Sequence, residues 1–283
     1  MSRSIRLTDG WSFARGTAED ASEAFRPVSV PHDWAIEGSV PVNQENGTSQ
    51  GFRTERGIGW YRRSLTLEKQ PGMRYFLDFD GVMEESTLWV NGTAVGGHGW
   101  GYSPFRLEIT DAIHGGVNEL LLRCDCSARP ADRWYSGCGL YRPVSLLTVP
   151  AEWLDDRRIV VRTVFAGEQA RVTVSTGTEK PVQAALLLDG QTVARAEGTA
   201  QLTLNVADPQ RWSAVTPTLY TLTLRFRDGS DEVSLRIGLR EAVFTTEGLR
   251  VNGEPVYLRG VCVHQDVACV GIAATGDLWR QRL

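Results

Sequence analysis

The sequence predicts an all-β protein: a β-sandwich, a second sandwich of the immunoglobulin type, and the incomplete start of a barrel of alternating strands and helices. Three observations support this class. Short apolar runs recur at close spacing, and several end in Asn-Gly or Asp-Gly pairs, which favour antiparallel hairpins. Helical periodicity is almost absent until the C-terminal end of the chain. The length of 283 residues corresponds to about two domains at roughly 150 residues each.

The first predicted domain covers residues 1–150. Residues 74–79 (RYFLDF) predict a strand that ends in a turn at Gly81. Residues 86–95 predict a hairpin, because the pair Asn91-Gly92 favours the type I′ turn that joins two strands. Residues 119–123 (ELLLR) predict a further buried strand. Strands at this spacing with glycine-rich connections are typical of a β-sandwich.

The second predicted domain covers residues 151–242 and shows a clear two-residue alternation of apolar and polar side chains. Asp189-Gly190 and Asp228-Gly229 each stand between two alternating runs, as turn residues do. We count seven short strands within about 85 residues, which fits an immunoglobulin-like sandwich.

The third segment, residues 243–283, predicts entry into a barrel. A small hairpin through Asn252-Gly253 leads into residues 258–266 (LRGVCVHQD), which we interpret as a short buried strand with polar side chains at its end. A helix start follows, with Thr275 or Asp277 as N-cap. One strand and part of a helix do not make a domain. We therefore expect the residues after Val256 to be disordered, to pack back onto the sandwiches, or to pair with another chain.

Composition excludes several classes of function. The net charge of −4 gives no attraction to nucleic-acid phosphates or to an anionic membrane surface. No run has the length of a membrane span, and the N-terminus has no apolar signal core. Five cysteines without a signal peptide indicate reduced thiols and a cytoplasmic protein. Cys124 and Cys126 lack zinc-ligand spacing and are interpreted as two thiols on opposite faces of a strand.

Ten motifs follow one another along the chain. They are residues 30–34 (VPHDW), 57–63 (GIGWYRR), 80–83 (DGVM), 88–92 (LWVNG), 101–105 (GYSPF), 132–144 (DRWYSGCGLYRPV), 209–212 (PQRW), 217–220 (PTLY), 238–240 (GLR) and 258–266 (LRGVCVHQD). In this order and spacing they resemble glycoside hydrolase family 2, and within it the β-galactosidase branch. The resemblance covers essentially the whole chain.

The resemblance implies a jelly-roll sugar-binding domain, an immunoglobulin-like domain and a TIM barrel that carries catalysis. It also implies a retaining mechanism, in which one carboxylic acid protonates the glycosidic oxygen and a carboxylate about 5 Å away attacks the anomeric carbon. In the family both groups are glutamates on later barrel strands, beyond Leu283. We therefore expect no catalytic residue, no metal ligand and no cofactor site in this chain, and no hydrolysis by the chain alone.

Three residues are the candidates for sugar binding. The resemblance places Asp132 in the sugar pocket, where a carboxylate accepts hydrogen bonds from adjacent hydroxyls; the alternative is an ion pair with Arg133 or Arg142. Trp134 has an aromatic face that suits a pyranose ring, or it is a core contact at the sandwich edge. His264 stands at the end of the expected first barrel strand, the catalytic face of such barrels.

Five further motif residues are interpreted as structural. His32-Asp33-Trp34 looks like a catalytic pair on paper, but no Ser or Cys nucleophile motif accompanies it, and we interpret it as a loop anchor of the first sandwich. Arg142 is expected to pair with a carboxylate, and Cys138 to serve in packing.

Two other functions stay open beside the N-terminal part of a β-galactosidase. One is a non-enzymatic carbohydrate-binding protein, and the other is a truncated product without activity. The segment at residues 258–266 favours the enzyme, because a free-standing binding module has no use for it. A β-galactoside is preferred over a β-glucuronide or β-mannoside because of residues 260–264 and the Asp132 motif. The family is commonly oligomeric, which leaves a homo-oligomer open.

Overall fold

A computed structural model of the chain describes residues 3–17, 25–38, 56–127 and 137–283. These residues are almost entirely β-structure, as predicted, and divide into two compact units. The first unit combines Arg3–Val149 with Cys262–Leu283, and the second is Pro150–Val261. None of the helices within the described ranges has the length and apolar character needed to cross a membrane.

The first unit is a jelly-roll sandwich. Its described strands lie in two sheets with the orders β3-β2-β4-β9-β6-β7 and β1-β10-β5-β8. The strands are β1 (Arg3–Arg6), β2 (Trp11–Arg15), β3 (Arg26–Val28), β4 (Gly57–Leu67), β5 (Met73–Phe79), β6 (Glu85–Val90), β7 (Thr93–His98), β8 (Phe105–Glu108), β9 (Gly116–Cys126) and β10 (Val144–Pro150). Neighbouring strands are often distant in sequence: β1 pairs with β10, and β4 with β9 along eleven residues. The fully buried side chains of Tyr61, Leu88 and Leu122 belong to the core of this sandwich.

Local turn chemistry sets the hairpin of β6 and β7. Asn91 and Gly92 have φ values of 50° and 79°, the two positive angles that a type I′ turn requires. The Asn91 carboxamide also accepts the Glu119 N–H at 2.9 Å and donates to the Ala112 carbonyl at 2.9 Å. The predicted hairpin is confirmed.

The interpretation of Cys124 and Cys126 as thiols on opposite faces is wrong. Side chains two residues apart on a strand point to the same face, and both cysteines are fully buried in the core of the first unit.

The second unit contains the predicted immunoglobulin-like sandwich. Its seven described sandwich strands form two sheets with the orders β11-β12-β15 and β14-β13-β16-β17. They are β11 (Val160–Ala166), β12 (Gln169–Ser175), β13 (Val182–Leu188), β14 (Gln191–Gly198), β15 (Gln201–Ala207), β16 (Tyr220–Phe226) and β17 (Glu232–Ile237). The alternation seen in the sequence is the alternation of burial: on β15, Leu202, Leu204 and Val206 are buried between exposed neighbours.

A small three-stranded sheet closes the second unit. It consists of β18 (Ala242–Thr245), β19 (Gly248–Val251) and β20 (Glu254–Pro255), in that order. The turn between β19 and β20 is the predicted Asn252-Gly253 pair, with φ values of 53° and 86°.

The predicted buried strand at residues 258–266 is wrong. This stretch has no strand structure, and Leu258 and Val261 are 68% and 89% exposed. A strand needs a neighbour for its backbone N–H and C=O groups, and no strand in the described part of the chain pairs with this one. His264 is therefore at the end of an exposed irregular segment and not of a barrel strand.

The last residues fold back onto the first unit, one of the three expected outcomes. Val267 and Gly271 close a tight turn with reciprocal backbone hydrogen bonds of 2.9 and 2.7 Å. Ile272 follows and is only 4% exposed within the core of the first unit. The helix Gly276–Arg282 then begins at Thr275, whose hydroxyl accepts the Leu278 N–H at 3.5 Å, so the N-cap is Thr275.

Candidate functional site

The structure covers the predicted sugar-binding residues unevenly. Asp132 and Trp134 fall in residues 128–136, outside the described part of the chain. His264 is described, is exposed, and belongs to the same compact unit as the first sandwich. In the described part of the chain, the structure defines a buried hydrogen-bonded cluster centred on Asp33.

Asp33 binds three backbone amides that are far apart in sequence. Its Oδ1 accepts the N–H of Ala35 at 2.9 Å and the N–H of Cys138 at 2.9 Å. Its Oδ2 accepts the N–H of Ile272 at 3.0 Å. The side chain is 3% exposed. A carboxylate whose oxygens are committed to buried amides is a structural group, so the interpretation of this motif as a loop anchor is confirmed.

Glycines make room for this anchor. A Cβ atom at Gly137 or at Gly271 would overlap with Oδ2 of Asp33. Both positions therefore require a residue without a side chain, and Gly271 also has a φ of 60°, which favours glycine.

Trp34 fixes the orientation of the anchor. Asp33 caps a single 3-10 turn, Trp34–Ile36, and the fully buried indole of Trp34 stacks on Phe13 with ring centroids 5.2 Å apart. Gly59 and Gly139 lie so close to the indole that a Cβ at either position would overlap with it. Aromatic packing of Trp34 thus fixes the loop that carries Asp33.

A hydrogen-bond network extends from the neighbouring residue. His32 lies 2.7 Å through Nδ1 from the hydroxyl of Tyr61 and 2.9 Å through Nε2 from Glu37. Arg26 donates to the same Glu37 carboxylate. Because the ionised Glu37 carboxylate can only accept, the Nε2–H of a neutral His32 imidazole is assigned as donating to it, and Nδ1 then accepts from the Tyr61 hydroxyl. The same hydroxyl oxygen accepts the N–H of Leu140 at 3.2 Å.

Burial governs the charge states in this network. Burial lowers the pKa of His32 below its usual 6.5, against the opposing effect of the hydrogen bond to Glu37. Burial also raises the pKa of Tyr61 well above its usual value. For Glu37, burial works to raise the pKa, but the hydrogen bonds from Arg26 and His32 outweigh it and lower the pKa.

A buried ion pair and two buried thiols involve residues close in sequence to the ends of the described ranges. Arg56, which follows residues 39–55, forms a 2.6 Å ion pair with Glu84, and the two side chains are 5% and 14% exposed. The thiol of Cys126 donates to the Met83 carbonyl at 3.0 Å. Cys138 is fully buried, as the packing interpretation requires, and burial raises the pKa of its thiol.

Among the described residues, Arg142 contacts a backbone carbonyl and an aromatic ring, and the expected pairing with a carboxylate stays a prediction because Asp132 lies outside these residues. Its guanidinium donates to the backbone carbonyl of Asp80 at 3.4 Å and lies 5.1 Å from the ring centroid of Tyr141.

The second unit carries an open cleft of about 720 Å³ between β11 and residues 236–243. Arg162, Arg236 and Arg240 line it, and Glu241 in its wall accepts the Phe165 N–H at 2.9 Å. The described residues that line it do not include His264. Across the described ranges, no cluster of three or more His, Cys, Asp or Glu side chains is arranged to hold a metal ion.

Sequence reasoning missed the Asp33–Ile272 contact and the role of Tyr61. The two partners of the first contact are 239 positions apart, and no periodicity links them. The one available signal was the presence of glycine at Gly137 and Gly271, next to the residues that donate to Asp33.

Comparison with known proteins connects this framework to a family. The sequence model of the protein family "Glycosyl hydrolases family 2, sugar binding domain" matches residues 8–150. The sequence model of the family "Glycosyl hydrolases family 2" matches residues 154–240.

Named relatives and solved structures agree with these matches. Beta-galactosidase BoGH2A of Bacteroides ovatus is 30% identical over 295 residues, which cover 93% of this chain and 34% of the relative. The beta-glucuronidase of Bacteroides fragilis is 28% identical over 307 residues, covering 95% of this chain and 42% of the relative. The crystal structure of a beta-glycosidase from Bacteroides vulgatus superposes with a TM-score of 0.86 at 31% identity, covering 99% of this chain and 39% of that one. The chain thus spans well under half the length of these proteins.

Proposed function

Because the chain belongs to glycoside hydrolase family 2, we propose that it forms the sugar-binding and scaffold part of a β-glycosidase that hydrolyses terminal β-galactosides. The observation that carries this proposal is the match of the family's sugar-binding domain to residues 8–150, which fold as a jelly-roll sandwich. The β-galactosidase BoGH2A, 30% identical, supports the choice of sugar.

Sugar recognition in this proposal falls to Asp132, Trp134 and His264. The carboxylate of Asp132 accepts hydrogen bonds from two adjacent hydroxyls, and Trp134 stacks on the apolar face of the ring. His264 supplies a hydrogen bond from the second segment of the same compact unit. His264 is exposed at the protein surface.

Hydrolysis itself is assigned to residues outside this chain. A retaining β-glycosidase needs an acid and a nucleophile on either side of the glycosidic bond. The relatives are more than twice as long as the matched region, which provides room for a catalytic domain. We therefore propose that this chain alone does not turn over substrate.

A β-glucuronide is the second candidate substrate, because the Bacteroides fragilis relative is a β-glucuronidase. The two sugars differ in charge: a glucuronate needs a cationic partner for its carboxylate, whereas a galactose does not. Calorimetric titration of the chain with galactose and with glucuronate distinguishes the two sugars, and a panel of chromogenic β-galactoside, β-glucuronide and β-mannoside tests the inactivity. We expect no release of chromophore by the chain; turnover of any of the three would overturn the assignment of chemistry to other residues.

The cytoplasm is the proposed location, on the grounds of five cysteines without a disulfide pattern. A homo-oligomer is the proposed assembly, and light scattering on the purified chain measures it directly. A non-enzymatic carbohydrate-binding protein remains the alternative function; a gene product that ends near Leu283 and binds sugar would favour it.

A further inference from the structure

A hydrogen bond between Asp33 and Ile272 connects the C-terminal segment to the first sandwich at a buried site. Ile272 is 4% exposed, Ala273 is 6% exposed, and the donating amide lies 3.0 Å from Oδ2 of Asp33. The same carboxylate, through Oδ1, holds Cys138 at 2.9 Å. One side chain thus fixes two chain segments, at residues 137–138 and 271–272.

The connection from Ile272 back to His264 is short and closed. Val267 and Gly271 bond reciprocally at 2.9 and 2.7 Å, which makes the intervening residues a compact turn. From the other side, the guanidinium of Arg282 donates to the carbonyl of Asp266 at 2.9 Å. Only two residues, Gln265 and Asp266, separate His264 from this turn. We therefore expect a displacement of Ile272 to move His264 as well.

We propose that Asp33 is a positioning residue that holds residues 264–273 on the first sandwich and thereby sets the place of His264. Asp33 does not contact the ligand in this arrangement, because its oxygens are occupied by the amides of Ala35, Cys138 and Ile272. The importance of this placement for sugar binding rests on the function proposed above; the placement itself does not.

Two substitutions of Asp33 distinguish its hydrogen bond to Ile272 from its hydrogen bonds to Ala35 and Cys138. In D33N the carboxamide oxygen still accepts the Ala35 and Cys138 amides, but the NH₂ group faces the Ile272 N–H, so that two donors meet. In D33A all three amides lose their acceptor. We expect D33N to speed amide exchange at Ile272 by about tenfold or more while Ala35 and Cys138 stay protected, and D33A to speed it at all three.

A matched pair of glycine substitutions tests the same Asp33–Ile272 hydrogen bond by changing the segment that carries its donor. G271A introduces a Cβ that overlaps with Oδ2 of Asp33, at a φ of 60°. G72A places alanine at a φ of 74° with nothing within 4 Å. G271A should release the Ile272 amide as D33N does, and G72A should leave it protected.

The position of His264 has its own spectroscopic readout. The chain has four histidines, so the imidazole C–H resonances can be assigned with an H264Q variant. We expect D33N to shift or broaden the His264 resonance and to leave those of His98 and His114 unchanged. Slow exchange at Ile272 in D33N, or an unmoved His264 resonance, would overturn the proposal.

Sugar affinity then separates this inference from the proposed function. If Asp33 acts through His264, D33N and H264A weaken galactose binding by similar factors, and the double variant is no weaker than either. Additive losses would contradict action through His264. An unaltered chain that binds no sugar would refute the proposed function for this chain, while amide exchange and the His264 resonance would still decide the role of Asp33.

Discussion

The hydroxyl of Tyr61 lies 2.7 Å from Nδ1 of His32, and the same oxygen accepts the backbone N–H of Leu140 at 3.2 Å. Tyr61 is fully buried on β4. One phenol therefore ties the middle of a sheet both to the anchor loop and to the segment that precedes β10.

Replacing Tyr61 with phenylalanine should destabilise the first unit. The ring and its packing remain, but the Leu140 N–H and Nδ1 of His32 lose their partner in a buried site, which costs about 1–3 kcal/mol in the free energy of unfolding. Urea denaturation followed by tryptophan fluorescence measures this loss. An unchanged midpoint and slope would mean that water reaches these groups and that the site is not closed.

Protonation of His32 should destabilise the same unit. Burial lowers the pKa of His32 below 6.5, so the unfolded chain binds more protons between the two pKa values. The free energy of unfolding should then fall as the pH drops from about 6.5 through the folded-state pKa. Unfolding curves at about pH 7.5 and about pH 5.5, for the natural chain and for H32Q, test this. A pH dependence in this range that H32Q leaves intact would show that another group is responsible.

Gly139 should not tolerate a side chain. A Cβ there would overlap with Tyr61 and Trp34, at a φ of 113°. Gly116 is the control, because its φ is 98° and nothing lies within 4 Å of a Cβ. We expect G139A to lower the melting temperature well beyond the effect of G116A, which carries only the backbone strain. Equal effects of the two substitutions would indicate that Trp34 and Tyr61 can move aside.

Asp231 should stabilise the second unit more than its neighbour Asp228. Asp231 is 1% exposed and accepts the N–H of Leu154 at 3.0 Å, so D231A leaves a buried amide unpaired at a cost of about 1–3 kcal/mol. Asp228 pairs with Lys180 at 2.9 Å on the surface, where solvent screens the interaction, so D228A should have the smaller effect. Calorimetric melting of the two variants decides the order, and a reversal would mean that Leu154 finds another acceptor.

The sequence predicted most strands because their signals are local. The φ values of the pairs Asn91-Gly92 and Asn252-Gly253 follow from the residues themselves, and the alternation along β15 is the burial pattern of one strand. The prediction of a buried strand at residues 258–266 was wrong because a strand forms only beside a neighbouring strand. A local apolar pattern does not show whether such a neighbour is present. The interpretation of Cys124 and Cys126 as thiols on opposite faces was wrong because side chains two residues apart on a strand point to the same face. Both thiols therefore lie in the core.

The candidate site was predicted only in part, for a physical reason. A role for Asp33 as an anchor could be inferred from its motif, but its contact with Ile272 joins positions 239 residues apart. Such a contact depends on how the chain closes on itself, and the sequence shows it only as glycines that leave space for a carboxylate.

The most direct test of the central claim is a calorimetric titration of galactose into the purified 283-residue chain, with a chromogenic β-galactoside assay on the same preparation. We predict measurable binding that is abolished by substitution of Asp132, without release of chromophore. Absence of binding to galactose, or hydrolysis that persists after further purification, would contradict the assignment of sugar recognition to this chain and of catalysis to residues beyond it.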